Sequence, residues 1–265
     1  MDLTSKEAIS VQEKTFTKLR RFNVVMAILH AAQGVVMLML SSDFSLPVTT
    51  SFVEFNVSTQ QLFTQLHTVF DLRVGPLVAG FFFLSALAHL FVSLPGIYEW
   101  YVANLKRGAN YARWIEYAFS SSLMIVVIAM LVGVYDGLTL FALFGLNAMM
   151  ILFGWMMELH NQSTEKANWT SFLFGSIAGA IPWVIVAFYL FNAGDASNHA
   201  PTFVYWIYFS LFLFFNCFAI NMVLQYKKVG KWRDYLYGER AYIILSLVAK
   251  SLLAWQVWAG TLRPV

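Results

Sequence analysis

Charge is what this sequence has least of. Only 12% of its 265 residues are Asp, Glu, Lys or Arg, while 59% are hydrophobic and 17% aromatic. A soluble domain usually carries about 25% charged residues, so a soluble enzyme is excluded and no enzymatic activity is expected. Cysteine is nearly absent too: Cys217 stands alone, which rules out an intrachain disulfide and a Cys-based metal or redox motif. No fixed-period repeat and no low-complexity tract is visible. A span needs ~20 apolar residues to cross the ~30 Å hydrocarbon core. The chain therefore has room for seven spans and short connections, read as one domain over residues 1–265.

Apolar runs of spanning length cover Phe22 to Leu40, Val74 to Leu94, Trp114 to Val134, Leu138 to Met157, Phe172 to Phe191, Phe203 to Leu224 and Tyr242 to Trp258, with the third able to begin near Tyr111. The fold class expected is an all-α, seven-helix membrane bundle held by the lipid bilayer. Residues 1–21 are charged but include Ile9, Val11, Phe16 and Leu19, the mark of an amphipathic lead-in lying on the membrane surface.

Basic residues set the orientation. Lys6, Lys14, Lys18, Arg20, Arg21, Lys106, Arg107, Arg113, Lys166, Lys227, Lys228, Lys231, Arg233 and Arg240 fall on one side, and only Arg73 and Arg263 on the other. This predicts a multi-pass protein of the cell membrane with a cytoplasmic N-terminus and an extracellular C-terminus. The longest connection, residues 41–73, is then extracellular. Its Phe52-Val53-Glu54-Phe55-Asn56-Val57 alternation predicts a short strand or hairpin, either a lid or dimer contact or simply a solvated loop.

A charge at mid-bilayer costs several kcal/mol unless paired or hydrated, which singles out Lys250, halfway along the seventh span. A buried lysine amine is a nucleophile suited to imine formation with an aldehyde, and it is equally suited to a structural ion pair. Glu116 is the carboxylate placed clearly within a span, with Glu158, Asp71 and Asp136 at span ends. It is the candidate partner of Lys250, and pairing with Arg113 at i, i+3 is the alternative. His30 and His89 fall in the same half of the membrane as Glu116 and suggest a polar cavity able to hold a proton. Each alone is as well explained by a bond to a helix carbonyl. They lack the local spacing of a zinc site. Asn147 and Asn216 read as interhelical hydrogen-bond donors. Trp255 and the Phe-rich sixth span are placed to form a slot beside Lys250.

The strings Leu84-Ser-Ala-Leu-Ala-His89, Arg113-Trp-Ile-Glu116-Tyr, Asn147-Ala-Met-Met-Ile-Leu-Phe-Gly-Trp155, Ser210-Leu-Phe-Leu-Phe-Phe-Asn216 and Gly238-Glu-Arg-Ala-Tyr-Ile-Ile-Leu-Ser-Leu-Val-Ala-Lys250-Ser resemble the heliorhodopsin family from the first span to the C-terminus. The resemblance implies that Lys250 carries all-trans retinal as a protonated imine with Glu116 as counterion. It places Ser246 where other microbial rhodopsins hold a second counterion. It matches His30 and His89 to a cytoplasmic-side polar cavity, and Ser121, Asn147 and Glu158 to a hydrogen-bonded interior. Phe215, Met150, Gly154 and Trp255 are matched to the chromophore lining.

Two functions fit: a photosensory receptor, expected as a homodimer with a cytoplasmic signalling partner, and a light-driven or light-gated ion conductor. A pump needs a proton donor and an acceptor on opposite sides of the imine. The third span beyond Ser120, Ser121 and Ser122 offers no further carboxylate for four turns, which favours the receptor. A transporter or scaffold without chromophore is the third option. No nucleic-acid partner is expected.

Overall fold

A computed structural model describes residues 3–192, 194 and 199–264, with side chains from Glu13 onward. Among them are α1 (Leu3–Leu40), β1 (Ser45–Asn56), β2 (Gln61–Arg73), α2 (Val74–Phe91), α3 (Ile97–Lys106), α4 (Tyr111–Leu131), α5 (Gly137–Asn161), α6 (Thr170–Asn192), α7 (Thr202–Tyr226) and α8 (Tyr235–Val257). Seven of these helices, all but α3, are long and apolar enough to cross a membrane. The spans lie where the hydropathy places them, with shifted ends: α4 starts at Tyr111, α5 runs to Asn161 and α8 starts at Tyr235.

Caps set several of these ends. Asn110 accepts from the Arg113 amide at 3.1 Å and Asp136 from the Thr139 amide at 2.7 Å, each satisfying an orphan donor of a first turn. Gly108, with φ +72°, reverses the chain between α3 and α4.

The lead-in runs on into the first span without a break. Residues 3–40 form one continuous α1, and Phe16 and Leu19 are buried beside Tyr101, Leu105 and Ile243. The side chains of Ile9 and Val11 lie outside the described residues. The connection after α2 contains α3, which the hydropathy pattern missed because its Tyr, Glu, Asn and Lys keep its mean apolarity low.

The first connection folds as an antiparallel hairpin from Ser45↔Arg73 to Asn56↔Gln61, with a bulge at Val48/Thr49. It extends well past the alternating stretch that foretold it. Thr49 N donates to Tyr135 O at 2.8 Å and Val74 N to Phe44 O at 3.1 Å, which ties its base to the bundle.

Helix order alternates direction, so α1, α4, α6 and α8 start on one side, called here the N-terminal side, and the hairpin caps the other. The main apolar core, with Val78, Ile125, Ile128, Val186, Ile207, Leu211, Leu253 and Val257, fills the hairpin half.

Candidate functional site

The third and seventh spans bring the two intramembrane charges together. Lys250 Nζ lies 3.3 Å from Glu116 Oε1, and both side chains are buried, at 3% and 8% exposure. Lys250 Nζ also donates to Ser246 Oγ at 2.7 Å, one turn earlier on α8, and sits 5.3 Å from the centre of the Tyr117 ring. Ser85 on α2 donates to Glu116 Oε1 at 2.6 Å, so the carboxylate is held from two helices. Ser85 escaped the sequence reading although it lies four residues before His89, on the same helix face.

Arg113 does not pair with Glu116. Its guanidinium takes Glu158 of α5 at 2.5 Å and Glu239 of α8, all three buried. Both carboxylates converge from neighbouring helices, which gives Arg113 a bidentate setting that a three-residue step along its own helix does not offer. Glu239 was hidden because Tyr235 to Arg240 reads as connection rather than span. Glu158 further accepts from the Asn110 amide at 3.0 Å, Trp114 Nε1 at 2.6 Å and Tyr235 Oη at 3.1 Å.

His30 and His89 are neighbours, with ring centroids 5.4 Å apart. His30 Nδ1 is 3.0 Å from Met26 O and His89 Nδ1 is 2.7 Å from Asn23 Oδ1. A small cavity of about 40 Å³ joins Asn23, His89, Tyr101, Asn110, Arg113 and Glu116. Every buried polar side chain of the described spans lies in the half between Lys250 and the N-terminal side, or at the level of Lys250 itself.

Beside Lys250, on the flank facing α5, α6 and α7 rather than the histidines, an apolar slot runs between α4, α5, α7 and α8. A narrow chamber of about 50 Å³ touches Lys250, Ser246, Ser121 and Ala249. A wider one of about 280 Å³ reaches α6 and is lined by Trp114, Gly154, Gly175, Gly179, Trp183 and Phe212 among others. Tyr117, Met150, Ile151, Phe215 and Phe218 wall both. Gly154 is needed where it stands, since a side chain there would run into the Trp114 indole. Asn147 donates to Ser121 at 2.8 Å and to Ser122 at 3.1 Å, joining α5 to α4. Asn216 instead donates to Phe212 O within its own helix.

Trp255 is the one expected lining residue that the structure turns elsewhere. It is 36% exposed, and its Nε1 donates to Gln33 of α1 at 3.2 Å. Five residues on from Lys250, it is carried round to another face of α8. Among the described residues no cluster of His, Cys, Asp and Glu could hold a metal ion.

These observations define a seven-span membrane bundle that closes a lysine–carboxylate pair at the blind end of an apolar, aromatic slot. The heliorhodopsin family model matches residues 19–262, and the chain belongs to that family. No curated protein matches it. Membership makes it a photoreceptor-type membrane protein with a retinal chromophore.

Proposed function

We propose that this protein is a light sensor in which Lys250 holds all-trans retinal, Glu116 is the counterion, and no net charge is carried across the membrane. The observation that supports it most is the buried Lys250–Glu116 pair at the narrow end of the slot. The slot fits the group: its two chambers share walls, are lined by Trp, Tyr, Phe and Met, and hold no charged side chain beyond Lys250. Bound through the Lys250 nitrogen, retinal supplies visible absorption and light-driven isomerisation.

The protein's own groups do the rest. Glu116 and Ser246 hold the Lys250 nitrogen in its cationic form, with Ser85 fixing the carboxylate. When the nitrogen releases its proton after illumination, Glu116 and the imidazoles of His89 and His30 are the acceptors at hand, on the N-terminal side. The hairpin half offers a packed wall of Ile125, Ile128, Leu253 and Val257, and among the described residues no buried carboxylate, imidazole or further cationic side chain lies beyond the level of Lys250. The proton therefore returns from the side to which it left. A long-lived altered state without transport is what a sensor needs.

We place the N-terminal side in the cytoplasm because the basic residues gather there. A cytoplasmic signalling partner would meet the α7–α8 connection, with Lys227, Lys228 and Lys231. A homodimer would use the hairpin, whose Val53, Phe55, Leu62 and Leu66 are exposed.

Expression with all-trans retinal should give a visible absorption band that Lys250→Ala abolishes. Illuminated cells should show no sustained pH change. A visible band in Lys250→Ala overturns the assignment of the lysine. A stationary photocurrent, or a steady pH change removed by a protonophore, makes the protein a conductor.

A further inference from the structure

The N-terminal side carries a second cavity, which the chromophore does not need. It is a cleft of about 280 Å³ between the ends of α5 and α7, the start of α8 and the loop before α4. Its rim holds Arg107, Lys228 and Arg233, and none of these three is within ion-pair distance of a carboxylate among the described residues. Glu165 is the one rim acid, and it too is unpaired. The inner wall is polar and half-buried: Gln225, Tyr226, Trp232 and Tyr235, with the Glu158 carboxylate at the back.

We propose that this cleft binds an oxyanion, a carboxylate or phosphate group, and that its occupancy is felt in the chromophore slot. Two guanidinium forks and an ammonium without acidic partners form the setting that planar oxyanions fill with paired, charge-assisted hydrogen bonds. Tyr226 and Gln162 also line the cleft and offer a hydroxyl and an amide to the body of the ligand. A free solute and an anionic lipid headgroup share this chemistry.

The coupling runs through one carboxylate. Glu158 and Tyr235 line the cleft, and Tyr235 Oη donates to Glu158 Oε1. The other oxygen, Oε2, takes Trp114 Nε1 at 2.6 Å, and the Trp114 ring is a wall of the slot against Gly154. A ligand that draws the Tyr235 hydroxyl toward the rim, or repels the Glu158 carboxylate, thus shifts an aromatic wall of the slot. The readout through the chromophore rests on the function proposed above, whereas binding itself does not.

The test uses the whole protein, loaded with retinal, in nanodiscs of phosphatidylcholine. Radiolabelled inorganic phosphate and citrate are offered by equilibrium dialysis at constant ionic strength set with chloride, which separates a site from general screening. Saturable binding is expected, weakened about tenfold or more in Arg107→Gln/Arg233→Gln, since each lost bond to a charged donor is worth roughly a factor of ten. Both arginines are exposed, so the variant should fold, and circular dichroism checks that it does.

Ligand should also change the decay of the long-lived photostate at least about twofold, and Trp114→Phe should keep the binding while losing that effect. If phosphatidylglycerol nanodiscs reproduce the change in decay and block phosphate binding, both lost in the arginine variant, the oxyanion is a lipid headgroup and the site stands. No saturable binding and no phosphatidylglycerol effect, or effects untouched by the arginine variant, would overturn the site. Binding without any change in decay would overturn the coupling. Binding in a protein that forms no visible band would leave the site intact and remove the photoreceptor reading.

Discussion

Replacing Glu116 by Gln removes a charge and almost nothing else, because the two side chains have the same shape. Across the 3.3 Å that separates Lys250 Nζ from Glu116 Oε1, unit charges attract by about 5 kcal/mol at an effective dielectric constant of ~20. On the proposed reading the ground state keeps its positive charge at the Lys250 nitrogen, and excitation moves it toward the far end of the slot. The carboxylate thus stabilises the ground state more than the excited state, and its removal narrows the gap by at most that ~5 kcal/mol. Glu116→Gln should therefore move the visible band to longer wavelength, or lose it near neutral pH to a deprotonated form absorbing in the near ultraviolet. Ser85→Ala should act in the opposite direction and by less. Without the 2.6 Å bond from Ser85, the carboxylate keeps more of its charge for Lys250 and the band moves to shorter wavelength. Absorption spectra of the purified variants, with the band followed against pH, decide the matter. A Glu116→Gln spectrum and titration that overlay those of the parent would place the counterion elsewhere, and shifts of the same sign in both variants would refute the electrostatic reasoning.

His30→Ala or His89→Ala should alter the decay of the deprotonated photostate more than the absorption maximum, since the Lys250 nitrogen bonds Ser246 and Glu116 rather than either ring and both rings lie on the expected proton path. Flash photolysis checks this, and an unchanged decay in both variants would remove the histidines from the path. Arg113→Gln strands two buried carboxylates and should cost about 3–5 kcal/mol of stability. Glu239→Gln leaves Arg113 with Glu158 and should cost only about 1.5–3 kcal/mol. The double variant should lose less than the sum, as contacting residues do. Detergent unfolding followed by circular dichroism measures all three, and additive losses would mean that Arg113 and Glu239 do not act as a pair.

The spans were legible because lipid demands long apolar helices, and Lys250 and Glu116 were legible because charge in such helices is costly. What stayed hidden depended on tertiary neighbours. Arg113 has an acid three residues along its own helix, and nothing local shows that two others approach from α5 and α8. Ser85 carries no charge to draw notice, yet its helix faces α4 and puts it on Glu116. Trp255 shares the helix of Lys250, and only the packing of α8 against α1 reveals that its indole meets Gln33. The hairpin announced itself through six alternating residues, but its full length rests on pairings of Thr, Gln and His that have no strong pattern alone.

Membrane voltage falls most steeply through the least polarisable part of a protein, and here that is the Ile, Val and Leu packing on the hairpin side of Lys250. One charge moved through the whole field gains about 2.3 kcal/mol per 100 mV. Lys250 Nζ and Glu116 Oε1 are 3.3 Å apart, about a tenth of the ~30 Å core, so a proton passed between them moves less than that and feels at most roughly 0.25 kcal/mol per 100 mV. On the proposed reading, the response to light should run at nearly the same rate in a polarised cell and in a depolarised one.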